Sequence, residues 1–143
     1  MKTDKKDLPL DQFIEFALYD KVNGYYMKKN PFGKEGDFIT APNITRLFSE
    51  IIAIWVLTFW KSIGSPRKFN LLELGAGNGE MMKVIIETLK NFPDCFNNCN
   101  FQIHEKSELL KQKQKINLKS KKITWINDIK TNNSYPTVFL ANE

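Results

Sequence analysis

A short apolar segment that leads directly into three alternating glycines is the most informative feature of this sequence. Residues 69–74 read FNLLEL, Gly75, Gly77 and Gly79 follow, and residues 81–91 show helical periodicity. Glycines permit tight turns and let a ligand approach the backbone closely. A strand that passes through such a turn into a helix is the ligand-binding unit of open parallel sheets. The segment therefore predicts an α/β fold with a ligand site at the carboxyl end of its first strand; a turn that only packs the helix on the sheet is the alternative.

Downstream of the glycines, short apolar runs alternate with a helical pattern. We predict strands at 101–104, 123–126 and 137–141, a helix at 107–115, and a loop over the polar, Pro93-containing residues 91–100. Alternating strands and helices imply a mostly parallel sheet with right-handed crossovers.

Upstream of the glycines, apolar residues at helical spacing predict a helix at 10–18 and a longer one that starts after Asn43 as N-cap. The longer helix is marked by a stripe of seven apolar residues: Ile44, Leu47, Phe48, Ile51, Ile52, Trp55 and Phe59. Residues 25–42, rich in glycine, proline and aromatic side chains, are predicted to form an ordered loop or short hairpin. Irregular segments of this kind often carry function.

Composition restricts the class of protein. A length of 143 residues suits one domain with one core, and 42% hydrophobic with 26% charged residues excludes a disordered chain. The longest apolar run, residues 51–60, is shorter than the roughly 20 residues of a membrane span, and residues 1–8 lack a signal-peptide core. Cys95 and Cys99 are too few for a disulfide scaffold or a four-ligand zinc site, so no metal is predicted. A bacterial cytoplasmic protein with reduced thiols fits best.

The basic charge is confined to one stretch. The net charge is +5, and residues 105–122 alone carry seven lysines against Glu105 and Glu108, which accounts for the whole excess. No aromatic residues interleave these lysines to stack on bases. We therefore interpret the stretch as a solvated helix face and its exit loop, and we predict no nucleic-acid partner.

Acidic residues at the ends of successive predicted strands indicate the kind of ligand. A dinucleotide motif would have its third glycine at position 80, where this chain has Glu80, whose charge also disfavours a pyrophosphate at the helix start. A nicotinamide oxidoreductase is therefore disfavoured. Glu73 suits a ligand ammonium, Glu105 suits two ribose hydroxyls, and Asp128 suits an exocyclic adenine amine. These residues favour a nucleoside ligand without phosphates.

Together these residues resemble those of class I S-adenosylmethionine-dependent methyltransferases, and upstream motifs narrow the resemblance. The motifs LYD at 18–20, GYYM at 24–27, PFG at 31–33 and GDFITAP at 36–42 are similar to the opening of the MidA-like family. LELGAGNG at 72–79, EKS at 105–107 and ANE at 141–143 match that family in the same order. The family is related to the mitochondrial complex I assembly factor that methylates a protein arginine.

The resemblance implies a Rossmann-like sheet, S-adenosyl-L-methionine as cofactor and a protein substrate, with a respiratory complex I subunit as a candidate. It implies roles for ten residues. Those expected to bind the cofactor are Glu73, Gly75, Gly77 and Gly79 for the methionine part, Glu105 for the ribose, Asp128 for the adenine, and Asp37 and Thr40 to close the pocket. Those expected at the reacting end are Asn142 and Glu143.

The family continues beyond the residues that match Asn142 and Glu143, so the resemblance implies an N-terminal portion only. Residues 1–66 would form a helical segment with an ordered aromatic and glycine loop, and residues 67–143 a truncated cofactor-binding domain. The four strands would have the order 3-2-1-4 of a seven-stranded sheet, with the edge at 137–141 open to a second copy or to a C-terminal half. We expect the isolated chain to be inactive. A catalytically silent remnant or assembly factor is the alternative function.

Overall fold

The computed structural model describes residues 8–28, 31–32, 36–119, 122–129 and 135–142. These residues form helices and parallel strands in the following order: α1 Leu10–Tyr19, α2 Tyr25–Lys28, α3 Ala41–Ile44, α4 Arg46–Ser62, β1 Phe69–Leu74, α5 Glu80–Leu89, α6 Pro93–Asn98, β2 Cys99–His104, α7 Glu108–Leu118, β3 Ile123–Ile126 and β4 Thr137–Leu140. Glu143, a predicted catalytic residue, lies outside the described residues.

The four strands form one parallel sheet in the order β3-β2-β1-β4. In the register, Leu71 of β1 lies opposite Phe101 of β2 and Val138 of β4. Parallel neighbours need a crossover connection. Helices α5 and α6 lie between β1 and β2, and α7 lies between β2 and β3. The predicted α/β class, the parallel sheet and the strand order 3-2-1-4 are therefore confirmed.

The hydrophobic core lies where the helices cover one face of this sheet. Alternate strand residues, including Leu71, Phe101 and Ile103, are completely buried against Ile85 and Leu89 of α5. The core continues into α4 through a buried set of side chains: Ala53, Val56, Leu57 and Trp60. Among the helices of the described ranges, none is long and apolar enough to cross a membrane.

Helix α4 confirms the predicted helix but not its predicted start. Its N-cap is Thr45, whose Oγ1 accepts a hydrogen bond from the Leu47 N–H at 3.2 Å. Asn43 instead lies in α3, where its side chain donates to Thr40 Oγ1. The prediction of Asn43 was wrong because Thr45, in extended conformation, separates two helices and can itself cap the second one.

The apolar stripe that identified α4 in the sequence is mostly not its buried face, since only Phe48 and Ile52 of its seven residues pack against the core. Leu47 and Ile51 are each 58% exposed and Trp55 is 51% exposed, while a different side of the helix packs on α5. The helix is thus apolar on two sides. Periodicity identifies a helix here but cannot say which of two apolar sides meets the core.

Two segments predicted as irregular contain short helices. Residues 25–28 form α2, and the one bridge in the neighbouring described residues joins Phe32 to Phe38 in parallel, so a hairpin was the wrong alternative. Residues 93–98 form α6, with Pro93 at its first position. Proline is favoured there because the first N–H of a helix has no intrahelical partner.

Both cysteines are free and buried. Burial raises the pKa of the Cys95 thiol to about 11 and raises the pKa of Cys99 as well. Because the thiolate is the reactive species, we expect neither cysteine to react with a colorimetric disulfide reagent at pH 8 while the protein is folded. Both should react after addition of denaturant, and rapid reaction of the native protein would contradict this burial.

Candidate functional site

The glycine turn between β1 and α5 depends on backbone conformations that other residues rarely adopt. Gly75, Gly77 and Gly79 have φ values of 66°, 55° and 84°. The Gly75 N–H donates to the His104 carbonyl at 2.9 Å, and the Gly79 N–H donates to the Ala76 carbonyl at 2.7 Å. No atom lies within 4 Å of the place that a Cβ at Gly75 would occupy. The turn is therefore held to the sheet by β2 and opens onto free space at its first glycine.

Helix α7 packs directly on the other end of this turn. A Cβ at Gly79 would lie 3.2 Å from Leu118 Cδ1, a contact that is tighter than nine in ten of those that real Cβ atoms make. Asn117 Nδ2 also donates to the Asn78 carbonyl at 3.0 Å. The third glycine thus serves the packing of α7, whereas the first serves the open cleft.

Glu73 is a buried carboxylate at the end of β1, only 3% exposed. The Met82 backbone N–H donates to the carboxylate, but within the described residues no group bonds to its buried Oε2. Burial, and to a lesser extent the negative charge of Glu105, raise the pKa of Glu73 to about 8. A buried acceptor without a partner costs stability unless a ligand supplies a donor. The site therefore has a place for a cationic donor such as an ammonium group.

Glu105 follows β2 and is 8% exposed. Its Oε1 accepts from the Ser107 backbone N–H at 2.9 Å, and its Oε2 accepts from Gln114 Nε2 at 2.9 Å. Both oxygens retain lone pairs, since a carboxylate accepts about four hydrogen bonds. The carboxylate is thus fixed in orientation and can still accept hydrogen bonds from a ligand.

Two adjoining clefts meet at the glycine turn. The first is lined by Glu73, Thr40 and Asn142 together with Gly75 and Gly77. The second is lined by Glu105 and by aromatic residues of the N-terminal segment. Gly75 and Gly77 line both clefts. The structure thus brings Glu73, Glu105, Thr40, Asn142 and the first two glycines to one edge of the sheet.

A chain of polar side chains fastens Thr40 to the glycine turn. Asn43 Nδ2 donates to Thr40 Oγ1 at 2.8 Å, and Asn78 Nδ2 donates to Asn43 Oδ1 at 2.9 Å. Asn78 lies between the second and third glycines of the turn. The N-terminal segment and the sheet are therefore coupled next to Glu73, a connection that was not predicted from the sequence.

Phe32 stands between the two clefts and lines both of them. A Cβ at Gly77 would lie 3.3 Å from its ring, and Tyr26 stacks on the ring with centroids 6.2 Å apart. Phe32 was not predicted as a site residue, although the PFG motif at 31–33 contains it. Its proximity to the turn depends on how the N-terminal segment folds back over the sheet.

Three predicted cofactor residues are not among the described residues that line these clefts: Gly79, which packs against α7, Asp37 and Asp128. Asp37 is exposed and accepts a hydrogen bond from the Tyr25 hydroxyl, which raises the pKa of Tyr25 to about 12. Asp128 is exposed in the loop after β3. Their roles stay predictions. Among the described side chains, no group of three or more His, Cys, Asp and Glu could hold a metal ion.

The residues of the clefts fit the cofactor that the sequence predicts. Glu73, whose buried Oε2 has no partner among the described residues, lines the first cleft, and the fixed Glu105 carboxylate lines the second. Gly75, with open space at its Cβ position, lines both. A family model described as "Putative S-adenosyl-L-methionine-dependent methyltransferase" matches residues 51–143. The chain belongs to this family.

Relatives in curated collections support the same assignment. The chain is 32% identical over 114 residues to the mitochondrial protein arginine methyltransferase NDUFAF7 of Bos taurus, which covers 78% of this chain and 26% of the relative. It is 39% identical over 85 residues to the NDUFAF7 homolog of Drosophila melanogaster, which covers 59% of this chain and 20% of the relative. The chain thus spans about a quarter or less of the length of these relatives.

A solved structure supports the fold. A COG1565 superfamily member from Burkholderia thailandensis, bound to S-adenosyl-homocysteine, superposes with a TM-score of 0.76 at 22% identity. The match covers 92% of this chain and 36% of that protein. The described sheet is therefore that of a methyltransferase fold, as the resemblance implied.

Proposed function

We propose that this chain is the cofactor-binding portion of a methyltransferase that transfers a methyl group from S-adenosyl-L-methionine to an arginine side chain of a protein. The observation that carries the proposal is Glu73, a buried carboxylate with an unpaired oxygen beside the glycine turn. The family membership and the names of the relatives support it.

The proposed cofactor contacts follow from the two clefts. Glu73 would accept hydrogen bonds from the ammonium group of the methionine part. The turn at Gly75 and Gly77 would leave room for the rest of that methionine part. Glu105 would accept from the ribose hydroxyls. Asp128 for the adenine, and Thr40 and Asp37 for closure, remain proposed from the sequence. When bound, the cofactor supplies a methyl group on a positively charged sulfur, so the chain's own task is alignment.

We assign Asn142 and Glu143 to the end of the cleft where the substrate arginine, the methyl acceptor, would bind. Asn142 follows β4 and lines the first cleft together with Glu73 and Thr40. Its side-chain amide would orient an incoming guanidinium, and we propose that Glu143, outside the described residues, pairs with that group in a bidentate manner. A respiratory complex I subunit as acceptor rests on the family resemblance alone.

Calorimetric titration of the purified chain tests the cofactor assignment. We expect one equivalent of S-adenosylmethionine, or of its product S-adenosylhomocysteine, to bind, and NADH to give no heat of binding. Binding of NADH in preference to S-adenosylmethionine would contradict the proposal. Binding of the cofactor without methyl transfer to any arginine-containing protein would favour a silent binding or assembly factor for the chain as it stands.

Glu105 offers a second check within the same titration. We expect Glu105→Ala to weaken the binding of S-adenosylhomocysteine by about 1–3 kcal/mol, because the ribose loses a charged hydrogen-bond acceptor. Glu108→Ala, an exposed acidic residue of α7, is the matched control and should bind as the wild type does. Equal affinities of the two variants would show that the ribose does not bind to Glu105.

We also propose that residues 1–66 act as a cover over the cofactor cleft and that residues 67–143 form its floor. The first cleft supports this division because Phe32, Thr40 and Pro42 face Glu73 and the glycines across it. The names of the relatives place those proteins in mitochondria. A bacterial cytoplasmic location for this chain stays a prediction from the sequence.

We propose that the outer edge of β4 accepts a further strand, from a second copy or from a C-terminal half. Within the described residues, β4 pairs only with β1. The Asn70 N–H donates to the Pro136 carbonyl, so Pro136 and Val138 direct their backbone groups to β1, whereas Phe139 directs its own outward. The Phe139 side chain is 52% exposed. Unpaired apolar edges tend to recruit strands.

Proline substitution tests this edge. We expect Phe139→Pro to abolish association, measured by light scattering, while the chain remains folded, because it removes an outward N–H. Phe139→Ala keeps that N–H and separates the effect of the side chain. Val138→Pro removes an N–H that faces β1 and should unfold the sheet. A wild-type chain that is monomeric at all concentrations would exclude a second copy as the source of the added strand.

A further inference from the structure

Gln114 is a buried polar residue that has no assigned role in the proposed cofactor site. It lies on α7 and is fully buried. Its Nε2 donates both to the Gly77 carbonyl at 3.0 Å and to Glu105 Oε2 at 2.9 Å. Its Oε1 accepts from the Trp125 indole N–H at 2.9 Å. One side chain therefore joins the glycine turn, the Glu105 carboxylate and strand β3.

The orientation of the Gln114 amide is determined by its neighbours. An indole N–H can only donate, so the atom that faces Trp125 must be the amide oxygen. The Gly77 carbonyl can only accept and the Glu105 carboxylate accepts, so the amide nitrogen must face them. Both amide hydrogens are thereby used, and a rotation of the amide by 180° would break all three bonds.

These bonds constrain two separate parts of the cofactor cleft. The bond to Glu105 fixes one carboxylate oxygen, while the Ser107 N–H fixes the other. The bond to Gly77 fixes the plane of the peptide that links Gly77 to Asn78, because a peptide unit is planar. Glu105 and Gly77 both line the second cleft. Gln114 itself does not line either cleft, so it acts through them.

We propose that Gln114 is a positioning residue that sets the Glu105 carboxylate and the glycine turn in the geometry that binds the nucleoside part of the cofactor. This inference rests on the proposed function, since it concerns the same site. An apolar residue of equal size would fill the same volume in the core. Such an apolar residue would not hold Glu105 and the glycine turn in the arrangement that binds the ligand.

Gln114→Met and Trp125→Phe form the matched pair that tests the proposal. Methionine keeps the volume of Gln114 but removes both donors. Phenylalanine at 125 removes the hydrogen bond to Gln114 Oε1 and part of the indole ring, but it leaves both donors of Gln114 in place. We expect Gln114→Met to weaken S-adenosylhomocysteine about ten- to a hundredfold, the range for a lost buried hydrogen-bond partner of a charge. Trp125→Phe should remain within about threefold of the wild type, although both substitutions lower the urea midpoint.

A double substitution separates positioning from general loss of stability. Combined with Glu105→Gln, Gln114→Met should weaken binding by less than the product of the two individual factors, because one of the two donor bonds of Gln114 acts through Glu105. Fully multiplicative effects would overturn the inference that Gln114 positions Glu105. Wild-type affinity in the Gln114→Met single variant would overturn the positioning role and leave the proposed function intact, whereas no binding by the wild type would overturn both.

A measurement on the wild type keeps the proposal testable if Gln114→Met does not fold. In nuclear magnetic resonance spectra, the side-chain NH2 signals of Gln114 should exchange slowly with solvent and shift when S-adenosylhomocysteine is added. Gln112, exposed on the same helix, is the internal control and should do neither. Gln114 signals that exchange fast, or that do not move at saturating ligand, would overturn the proposal.

Discussion

Replacing Glu73 by glutamine is expected to stabilise the ligand-free protein toward high pH while removing most of its affinity for S-adenosylmethionine. The pKa of Glu73 is raised to about 8, mainly by burial, from an ordinary value of 4.5. Glutamine has the same shape but cannot ionise. The variant therefore loses both the penalty of a buried carboxylate and the charge that would pair with the ligand ammonium.

The sign of the pH dependence follows from linkage. Because the folded protein binds this proton more tightly than the unfolded chain does, the contribution of Glu73 to stability is fully present below pH 4.5. It is lost as the pH rises from 4.5 to about 8, by up to about 1.4 kcal/mol per pH unit. The free energy of unfolding of Glu73→Gln minus that of the wild type should rise across this window and level off on both sides.

Urea unfolding at a series of pH values measures that difference, and the contributions of all other titrating groups cancel in it. A difference that stays constant between pH 4.5 and 8 would show that Glu73 titrates normally. Such a result would remove the evidence for a desolvated carboxylate at the glycine turn.

The effect on binding is opposite in direction. We expect Glu73→Gln to weaken the binding of S-adenosylmethionine by about 2–5 kcal/mol. This is the cost of removing one partner from a buried, charged hydrogen-bonded pair. For the wild type, affinity should rise with pH toward 8, since binding the ammonium requires the carboxylate to release its proton. Methylthioadenosine, which has no ammonium, is the matched ligand and should bind both proteins equally. Equal loss for both ligands would mean that the substitution had distorted the cleft.

The sheet could be predicted from the sequence because its strands are short, apolar and separated by helical patterns. The ends of several helices could not. Thr45 and Asn43 are both good N-caps, and only the extended backbone at Thr45 decides between them. Pro93 is compatible with a loop and with the first turn of a helix, and the structure shows the latter. Local sequence leaves such choices to the packing of neighbouring elements.

The candidate site likewise contains residues that could be predicted from the sequence and residues that could not. Glu73 and Glu105 were predictable because the carboxyl ends of parallel strands meet at one edge of a sheet. Gln114 was not, because its contact with Gly77 joins residues 37 positions apart and depends on the rotation of α7. Phe32 was not, because it reaches the turn only through the fold of the N-terminal segment. Strand ends can be located from a pattern, whereas supporting contacts between elements require the packed structure.

The open space at Gly75 leads to a prediction in which stability and binding separate. A Cβ at Gly75 would meet no atom within 4 Å, but the residue has a φ of 66°. Gly64, in the turn after α4, has a φ of 89° and is equally free of contacts. Alanine at either position therefore introduces the same backbone strain, about 1–2 kcal/mol, without a collision.

We expect Gly75→Ala and Gly64→Ala to lower the free energy of unfolding by similar amounts, and only Gly75→Ala to weaken the cofactor. The added methyl group at Gly75 enters the space shared by the two clefts. Crowding by a methyl group in a well-packed site costs about 1–3 kcal/mol, or roughly five- to 150-fold in the dissociation constant. Urea unfolding and titration with S-adenosylhomocysteine measure the two effects. If Gly75→Ala bound the ligand as tightly as Gly64→Ala does, the cofactor could not lie across the first glycine of the turn, and the assignment of the clefts would be wrong even if the chain bound S-adenosylmethionine elsewhere.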